Sequence, residues 1–255
     1  MKEKRQKKIL DIIDKKELFK QELKELSTEL YVSEMTIRRD IFQLEKNGLI
    51  KILFGGQIIR TTRYNEPNYK YRIYEQKKDK EIMAKIASSL IKDGELIFLD
   101  LGSSCYYLAR ELIGRNVNIV TNWIPNILQL AKGVNTKIIN VGGTVDKKEL
   151  YSGGIFAYQT LGNYKFDKAF IGVGSVSING IYDFRLEIAQ IKKRVLECSK
   201  ENIVLADHTK FFKSAPILIN RFDEFLIKKI VTSHISKIDK KVIDNIKKYG
   251  IEFTS

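Results

Sequence analysis

Short apolar runs alternate with helical patterns along most of this chain, from about Asp79 onward, and this alternation restricts the fold more than any other feature. The runs end in Gly, Asp or Asn, where a buried strand passes into a loop. Alternating strands and helices predict βα units and a mostly parallel sheet, and therefore an α/β fold. The predicted strands are Glu95–Asp100, Asn118–Asn122, Lys137–Gly142, Ala169–Gly174, Asn202–Asp207 and Ile227–Thr232, and the predicted helices are Tyr106–Ile113, Pro125–Lys132, Arg185–Ser199 and Asp239–Tyr249.

The first 60 residues have another pattern, in which two short helices are separated by a tight turn. Leu23, Leu26 and Leu30 are spaced for a short amphipathic helix. Ser33 is a good N-cap for a second helix, Met35–Lys46, because its hydroxyl can accept a hydrogen bond from an amide of the first turn. Helix, turn and helix in this order predict a helix-turn-helix, whose second helix enters the major groove of DNA.

A helical wheel sorts the second helix into two faces. Ile37, Ile41 and Leu44 form the core side, and Asp40 beside them is expected to orient an arginine or an amide. Arg39 lies on the opposite side and is the best candidate for a base contact, since arginine can donate two hydrogen bonds to guanine. That side also carries Met35, Phe42, Gln43 and Lys46. The predicted DNA-binding residues are Ser33, Thr36, Arg38, Arg39, Gln43, Lys46, Lys51, Gly55 and Gly56.

A β-hairpin is predicted directly after this helix. Asn47-Gly48 ends the helix, and two short apolar runs then flank Gly55-Gly56. A hairpin behind a recognition helix is a wing, whose backbone can lie along phosphates while Lys51 or Arg60 adds charge. The first 60 residues are therefore predicted to be a winged helix-turn-helix domain.

The charge and the cysteines agree with a DNA-binding protein of a reducing compartment. Residues 1–78 carry 19 basic and 12 acidic residues, so under a third of the chain holds half of the net charge of +14. No apolar run approaches the roughly 20 residues that span a bilayer, and no signal peptide is apparent. Cys105 and Cys198 form no CxxC pair. We expect a cytoplasmic protein with no membrane partner, no metal and no cofactor.

The predicted winged helix-turn-helix domain, the DNA-binding head of the chain, resembles the DNA-binding signature of the DeoR family of bacterial regulators. The resemblance rests on Val32–Ile41 (VSEMTIRRDI), Leu44–Leu49 (LEKNGL) and Gly55-Gly56. Two wing positions depart from the family, which commonly has His at Phe54 and Ala at Gln57. The resemblance implies a repressor of a sugar-metabolism operon that binds operator DNA. Because helix-turn-helix proteins usually pair two heads on repeated half-sites, we expect a homo-oligomer, a dimer or a tetramer.

The resemblance continues more loosely from about Lys80 to Thr232. It implies a C-terminal domain that is related in fold to ribose-5-phosphate isomerase and binds a phosphorylated sugar as effector. No catalytic residue is predicted. Asp100–Ser104 matches the phosphate loop of that superfamily, with Cys105 where the family usually has Thr. The predicted ligand-binding residues are Asp100, Gly102, Ser103, Ser104, Cys105, Thr121, Asn122, Gly142, Gly143, Gly172, Gly174, Glu187, Lys192, Asp207 and Lys210.

The predicted domains are a winged helix-turn-helix over 1–60, a linker over 61–78 and an α/β effector-binding domain over 79–255. Two other functions remain open for the last of these. One is a sugar-phosphate isomerase fused to a DNA-binding head, although no complete acid/base pair is evident from spacing. The other is an architectural or interaction protein without a small ligand, which the many polar strand-end loops disfavour.

Overall fold

The computed structural model describes residues 2–15, 18–47, 49–53, 55–60 and 69–255, and the chain divides into two units, Met1–Pro67 and Asn68–Ser255. The helices of the first unit are α1 (Lys2–Lys15), α2 (Leu23–Glu29) and α3 (Glu34–Lys46), and its strands are β1 (Leu18–Phe19), β2 (Ile50–Ile52) and β3 (Gln57–Arg60). The strands form an antiparallel sheet in the order β1-β3-β2. The predicted helix-turn-helix and hairpin are thus confirmed, and β1 is a third strand that was not predicted.

The core of the first unit explains why these elements form. Ile37, Ile41 and Leu44 of α3 are buried together with Leu26 of α2 and Ile9 of α1. The spacing of the buried positions on α3 is three and four residues, the repeat of one helix face. Ser33 caps α3 as predicted, because its Oγ accepts a hydrogen bond from the Thr36 amide at 3.3 Å. Gly48 and Phe54 lie outside the described residues.

The second unit contains a sheet in which, within residues 69–255, seven parallel strands have the order β15-β14-β12-β9-β4-β5-β6. They are β4 (Leu96–Leu99), β5 (Asn118–Thr121), β6 (Lys137–Asn140), β9 (Phe166–Gly172), β12 (Ser199–Leu205), β14 (Ile227–Val231) and β15 (Glu252–Thr254). Each predicted strand is present, so the α/β class with a mostly parallel sheet is confirmed. The strand β9 begins three residues earlier than predicted, and β12 begins where a helix was predicted to end.

Helices cover the sheet, and shorter strands form two further small sheets. The helices are α4 (Tyr69–Arg72), α5 (Lys77–Ser89), α6 (Ser103–Glu111), α7 (Ile124–Leu130), α8 (Gly154–Leu161), α9 (Leu186–Glu197) and α10 (Lys240–Lys247). The additional strands are β7 (Thr144–Val145), β8 (Ser152–Gly153), β10 (Ser175–Val176), β11 (Gly180–Asp183) and β13 (Ile217–Arg221), and their sheets are β10-β11-β13 and β7-β8. Neighbouring residues of β4 belong to different hydrophobic cores. Phe98 belongs to one core, and Ile97 and Leu99 belong to the other. Both faces of the sheet are therefore buried, which explains the continuous apolar runs.

The predicted linker is partly wrong. Its residues 61–68 lie outside the described part of the chain, but residues 69–78 contain α4 and the start of α5 and belong to the second unit. Tyr69 is only 8% exposed and its ring meets the Trp123 ring edge-on, with the ring centroids 5.6 Å apart. Arg72 is also buried and forms an ion pair with Glu149. A polar and aromatic composition suggested a solvated segment, whereas long-range partners bury it.

The strand order defines a switch point. The chain starts at β4, adds β5 and β6 on one side, and then returns to place β9, β12, β14 and β15 on the other side. The connections therefore leave β4 and β9 in opposite directions, and a crevice opens beyond the carboxyl ends of these two strands. Open α/β sheets bind ligands at such a crevice.

Candidate functional site

The exposed face of α3 is the candidate DNA interface. Asp40, on its core side, is buried and accepts hydrogen bonds from the Arg5 and Gln6 side chains of α1, which confirms its predicted role. Arg38, for which the sequence allows either a phosphate contact or a nearby carboxylate partner, is paired with Glu34 at 2.6 Å. Arg39 is exposed on the opposite face, as the wheel predicted. α1 thus holds the helix while Arg39 faces outward.

The other predicted DNA contacts lie around this face. Gln43 donates a hydrogen bond to Asn47 at 3.0 Å, and the hydroxyls of Ser33 and Thr36 are 2.9 Å apart at the start of α3. Lys46 is exposed near the end of the helix. In the hairpin, Lys51 is exposed, and Gly55 and Gly56 have φ angles of 88° and 82°, which favour glycine. The described residues therefore contain every DNA-binding position predicted, and base or phosphate contact by each stays a prediction.

The candidate effector site begins with a buried network at the switch point. Asp100 follows β4, and its Oδ2 accepts a hydrogen bond from the Gly172 amide of β9 at 3.1 Å. Lys192 of α9 lies 3.2 Å from the same oxygen and donates to Asp183 and to the Gly172 carbonyl, at 2.6 Å each. Burial raises the pKa of Asp100 to about 6, against the opposing effect of Lys192. The carboxyl therefore keeps its proton to a higher pH than an exposed aspartate does.

Lys192, one of the predicted ligand-binding residues, already has partners within the protein. Two carboxylates and a carbonyl surround its ammonium group, and the residue is 3% exposed. Its partners come from distant parts of the chain, which spacing alone does not reveal. Lys192 holds Asp100 and Asp183 in place and has little positive charge left for a phosphate.

The predicted phosphate loop forms the start of α6. Gly102 has a φ of 120° and open space where a side chain would be, which favours glycine at the mouth of the loop. Ser103 and Ser104 occupy the first turn of α6, where free amides and the helix dipole favour an anion. Cys105 is an exception, because its thiol points into the core, 3.6 Å from the Phe170 carbonyl, and is fully buried. Its side chain therefore does not reach a ligand, and burial raises its pKa.

Unpaired polar atoms collect beyond the ends of β4 and β5. Thr121 is satisfied, because its hydroxyl accepts hydrogen bonds from Trp123 and Asn126 at 3.2 Å each. The side chain of Asn122 is fully buried, and neither its nitrogen nor its oxygen has a hydrogen-bond partner. Asn126 Oδ1, Ser152 Oγ and Asp100 Oδ1 are buried and unpaired as well. Such atoms are costly unless water or a ligand pairs with them, so this cluster is a candidate for binding water or a small polar ligand.

A second polar group lies beyond β12. Asp207 caps the 3₁₀ turn His208–Phe211 through its contact with the Thr209 amide at 2.9 Å. Burial opposes its ionisation, but Lys210, Thr209 and Lys80 lower its pKa. Asp79 lies 3.3 Å from His208 and 3.1 Å from His234, which follows β14. These groups bring the predicted Asp207 and Lys210 to the same sheet edge as Asp100.

Sequence reasoning missed Lys80, which is 3% exposed on α5. Its ammonium donates hydrogen bonds to the backbone carbonyls of Arg72 and Glu75. Burial and the nearby Lys210 ammonium lower its pKa to about 7. A lysine in a run of charged residues looked solvent-exposed; only its place on the apolar side of α5, beside Asp79 and Met83, could have indicated its burial.

The remaining predicted residues are spread around the same edge. Gly142 and Gly143 follow β6, and a side chain at Gly143 would collide with the Gly153 carbonyl. Gly174 packs against Phe184 and has a structural role. Glu187 is exposed on α9, where it lines a groove between α8 and α9. Ligand contact by Gly142, Gly143 and Glu187 stays a prediction.

Two exclusions apply to the described residues. None of their helices combines the length and apolar character that crossing a bilayer requires. Their His, Cys, Asp and Glu side chains form no group of three or more that could hold a metal ion.

Comparison with known families agrees with both units. Residues 5–63 match the DeoR-like helix-turn-helix domain, and residues 75–234 match the DeoR C terminal sensor domain. The two matches define the class of protein, a helix-turn-helix DNA-binding regulator with a sensor domain. The chain belongs to the DeoR family of transcriptional regulators.

Several relatives have regulator names. The HTH-type transcriptional regulator GolR of Listeria innocua is 31% identical over 208 residues, 81% of each chain. The transcriptional repressor GlcR of Bacillus subtilis is 31% identical over 73% of this chain and 72% of its own. The lactose phosphotransferase system repressor of Staphylococcus aureus is 31% identical over 72% of this chain and 74% of its own. These relatives are regulators and repressors rather than enzymes.

Solved structures are more distant. Ribose 5-phosphate isomerase A from Methanocaldococcus jannaschii is 21% identical with a TM-score of 0.37, over 52% of this chain and 53% of its own. A probable sor operon regulator from Shigella flexneri is 10% identical with a TM-score of 0.37, over 54% of this chain and 77% of its own. Similarity at this level carries no argument about the site.

Proposed function

We propose that this chain represses a sugar-metabolism operon and leaves its operator when a phosphorylated sugar binds to the sensor domain. The observation that carries the proposal is the cluster of buried, unpaired polar atoms at the switch point of the sheet, beside the free amino end of α6. A small polar ligand would pair with these atoms, and an anionic group would be held at the helix end. A phosphorylated sugar has both features.

The phosphate and the sugar of the ligand have separate partners in this proposal. The phosphate lies at the first turn of α6, against the amides and hydroxyls of Ser103 and Ser104. Its charge is met by Lys80 and Lys210, and the Lys210 ammonium is close enough to lower the pKa of Lys80. The sugar hydroxyls pair with the unpaired atoms of Asn122 and Asp100. Because Lys192 is neutralised within the protein, it orients Asp100 instead of binding the phosphate.

The response reaches DNA through α4, the first described helix after the DNA-binding unit. Tyr69 of α4 packs in one apolar cluster with Trp123 and with Leu101, a residue of the phosphate loop. Lys80 donates to the carbonyl of Arg72, the last residue of α4. A phosphate that attracts the Lys80 ammonium competes for that hydrogen bond. Ligand binding therefore weakens the contact between Lys80 and the end of α4. The ligand acts only if it binds the released conformer more tightly than the DNA-bound one.

Calorimetric titration of the full chain with a panel of phosphorylated sugars and their unphosphorylated counterparts tests this function. We expect at least one phosphorylated sugar to bind and its unphosphorylated form to bind much more weakly. No binding by any member would contradict the proposal. The enzymatic alternative predicts interconversion of aldose and ketose phosphates in a direct assay, and such turnover would favour it.

The affinity for the phosphorylated sugar should decrease as the pH rises above 7. The Lys80 ammonium has a pKa of about 7, so at higher pH a proton must be taken up before it can meet the phosphate. We expect up to roughly fiftyfold weaker binding at pH 9 than at pH 7 in wild type, because a group with a pKa of about 7 is about half protonated at pH 7 and about one hundredth protonated at pH 9. Asp207, Glu75, Lys210 and Arg72 face Lys80, and Lys80→Met removes the titrating group among them. A steep pH dependence that survives in Lys80→Met would contradict the role of Lys80.

We also propose that the chain forms a homodimer through α8. This helix has no charged residue, yet Ile155 and Phe156 are 62% and 69% exposed, and such a helix is normally buried. The groove of about 490 Å³ beside it is lined by Glu187, Lys193 and Glu197. A rim with both signs of charge, on a chain of net charge +14, fits a second copy better than a strongly charged partner.

Phe156→Glu should convert the dimer to a monomer, because it places a charge in the centre of the apolar surface. Sedimentation of the ligand-free chain at several concentrations measures this. Leu128→Glu is the matched control, since Leu128 is 61% exposed on another helix, and it should remain dimeric. A Phe156→Glu protein that stays dimeric, or a wild type that is monomeric with and without DNA, would contradict the proposed surface.

A further inference from the structure

Two large apolar side chains are exposed on α3, the helix expected to enter the major groove. Met35 is 60% exposed and Phe42 is 66% exposed, on the face opposite buried Ile37 and Ile41. Single exposed apolar residues are common on protein surfaces. These two share one helix face with Arg39, the candidate base-contacting residue. Their placement there indicates that they contact DNA as well.

The spacing along the helix matches the spacing of base pairs. Met35, Arg39, Phe42 and Lys46 follow one another at intervals of four, three and four residues, which places them on one face. At about 1.5 Å per residue, Met35 and Phe42 are roughly 10.5 Å apart along the axis. That is roughly three base-pair steps of about 3.4 Å each. Arg39 lies between them.

The major groove offers one apolar group to such side chains, the 5-methyl group of thymine. The polar neighbours on the helix are less free to select a base. Arg38 is held by Glu34 at 2.6 Å, and Gln43 donates to Asn47 at 3.0 Å. The face turned away from the core therefore presents a cation between two apolar side chains.

We propose that Phe42 and Met35 select thymine by contacting its methyl group, on either side of a guanine bound by Arg39. Each operator half-site then contains two thymines about three base pairs apart with a guanine between them. The proposal concerns how the DNA-binding unit selects its operator, and it holds whether or not the sensor domain binds a phosphorylated sugar. Lys46 and the positively charged head supply affinity for phosphates without selecting a base.

Replacement of thymine by uracil isolates this contact, because uracil pairs as thymine does but lacks the methyl group. Full-length protein is first used to select an enriched sequence from a pool of random duplexes. Each thymine of that sequence is then replaced by deoxyuridine, one at a time, and the dissociation constant is measured. We expect two replacements per half-site to weaken wild-type binding by about threefold to tenfold, as one lost apolar contact predicts.

The variants assign each thymine to its side chain. In Phe42→Ala one of the two uracil effects should disappear while the other persists, and in Met35→Ala the reverse should hold. Thermal unfolding checks that both variants fold, as exposed residues should permit. Uracil in place of every thymine with no loss of wild-type affinity would overturn the proposal. So would an enriched half-site without thymine, or variants that keep both uracil effects.

Discussion

Arg39→Ala is expected to lower the affinity for the selected operator by roughly 5- to 150-fold while the protein stays folded. The loss corresponds to one bidentate base contact, about 1–3 kcal/mol. Arg39 is exposed on α3 opposite the buried stripe, so its truncation removes no core contact. The measurement is a fluorescence-anisotropy titration of a labelled operator duplex, with thermal unfolding as a check of the fold.

Arg38→Ala provides the matched control. Arg38 is adjacent on the same helix, but its guanidinium is paired with Glu34 and both side chains are exposed. An exposed pair of this kind contributes little to stability, and a phosphate contact by Arg38 would weaken binding to all sequences alike. Arg39→Ala should instead reduce the preference for the operator over random DNA. Equal affinities of wild type and folded Arg39→Ala for the operator would contradict the assignment.

Ser103→Asp should abolish the response of DNA binding to the effector. Ser103 lies in the first turn of α6, and a carboxylate there either occupies the helix end or repels the incoming phosphate. Wild type should lose operator affinity by 5- to 150-fold when the effector is saturating, the usual range of coupling between two sites. The variant should keep its basal operator affinity at every effector concentration.

Ser103→Ala separates charge from the loss of a hydroxyl. It removes one hydrogen-bond donor and leaves the amides of α6 in place, so it should respond to the effector at a higher concentration than wild type. A normal response from Ser103→Asp would show that the effector does not use this loop. A loss of basal operator binding in both variants would point to damage to the fold, which thermal unfolding detects.

The buried parallel strands could be predicted because their burial requires a recognisable sequence pattern. β4 and β9 are covered on both faces, so they appear as continuous apolar runs that end at polar or glycine residues. The antiparallel sheet of β10, β11 and β13 was not predicted. Its strands have two to five residues and a mixed pattern, too short for a periodicity of two to stand out.

The positions of the candidate site residues were predictable, but several of their roles were not. The carboxyl ends of the strands could be predicted from the sequence, and in a parallel sheet these ends all lie at one edge. Lys80 and Lys192 show the limit. Lys80 is buried near Lys210, and Lys192 is paired with Asp100, so each role depends on a residue about 90 or more positions away. Such partners are set by packing, and local patterns do not encode them.

Release by the effector is measured as the affinity of wild-type protein for its operator, with and without each sugar of the panel. At least one phosphorylated sugar should lower this affinity by 5- to 150-fold, and its unphosphorylated form should not. Operator DNA should weaken the binding of that sugar phosphate by the same factor, because the coupling is reciprocal. An increase in affinity would contradict release by the effector. An operator affinity that no phosphorylated sugar changes would contradict the sensor itself.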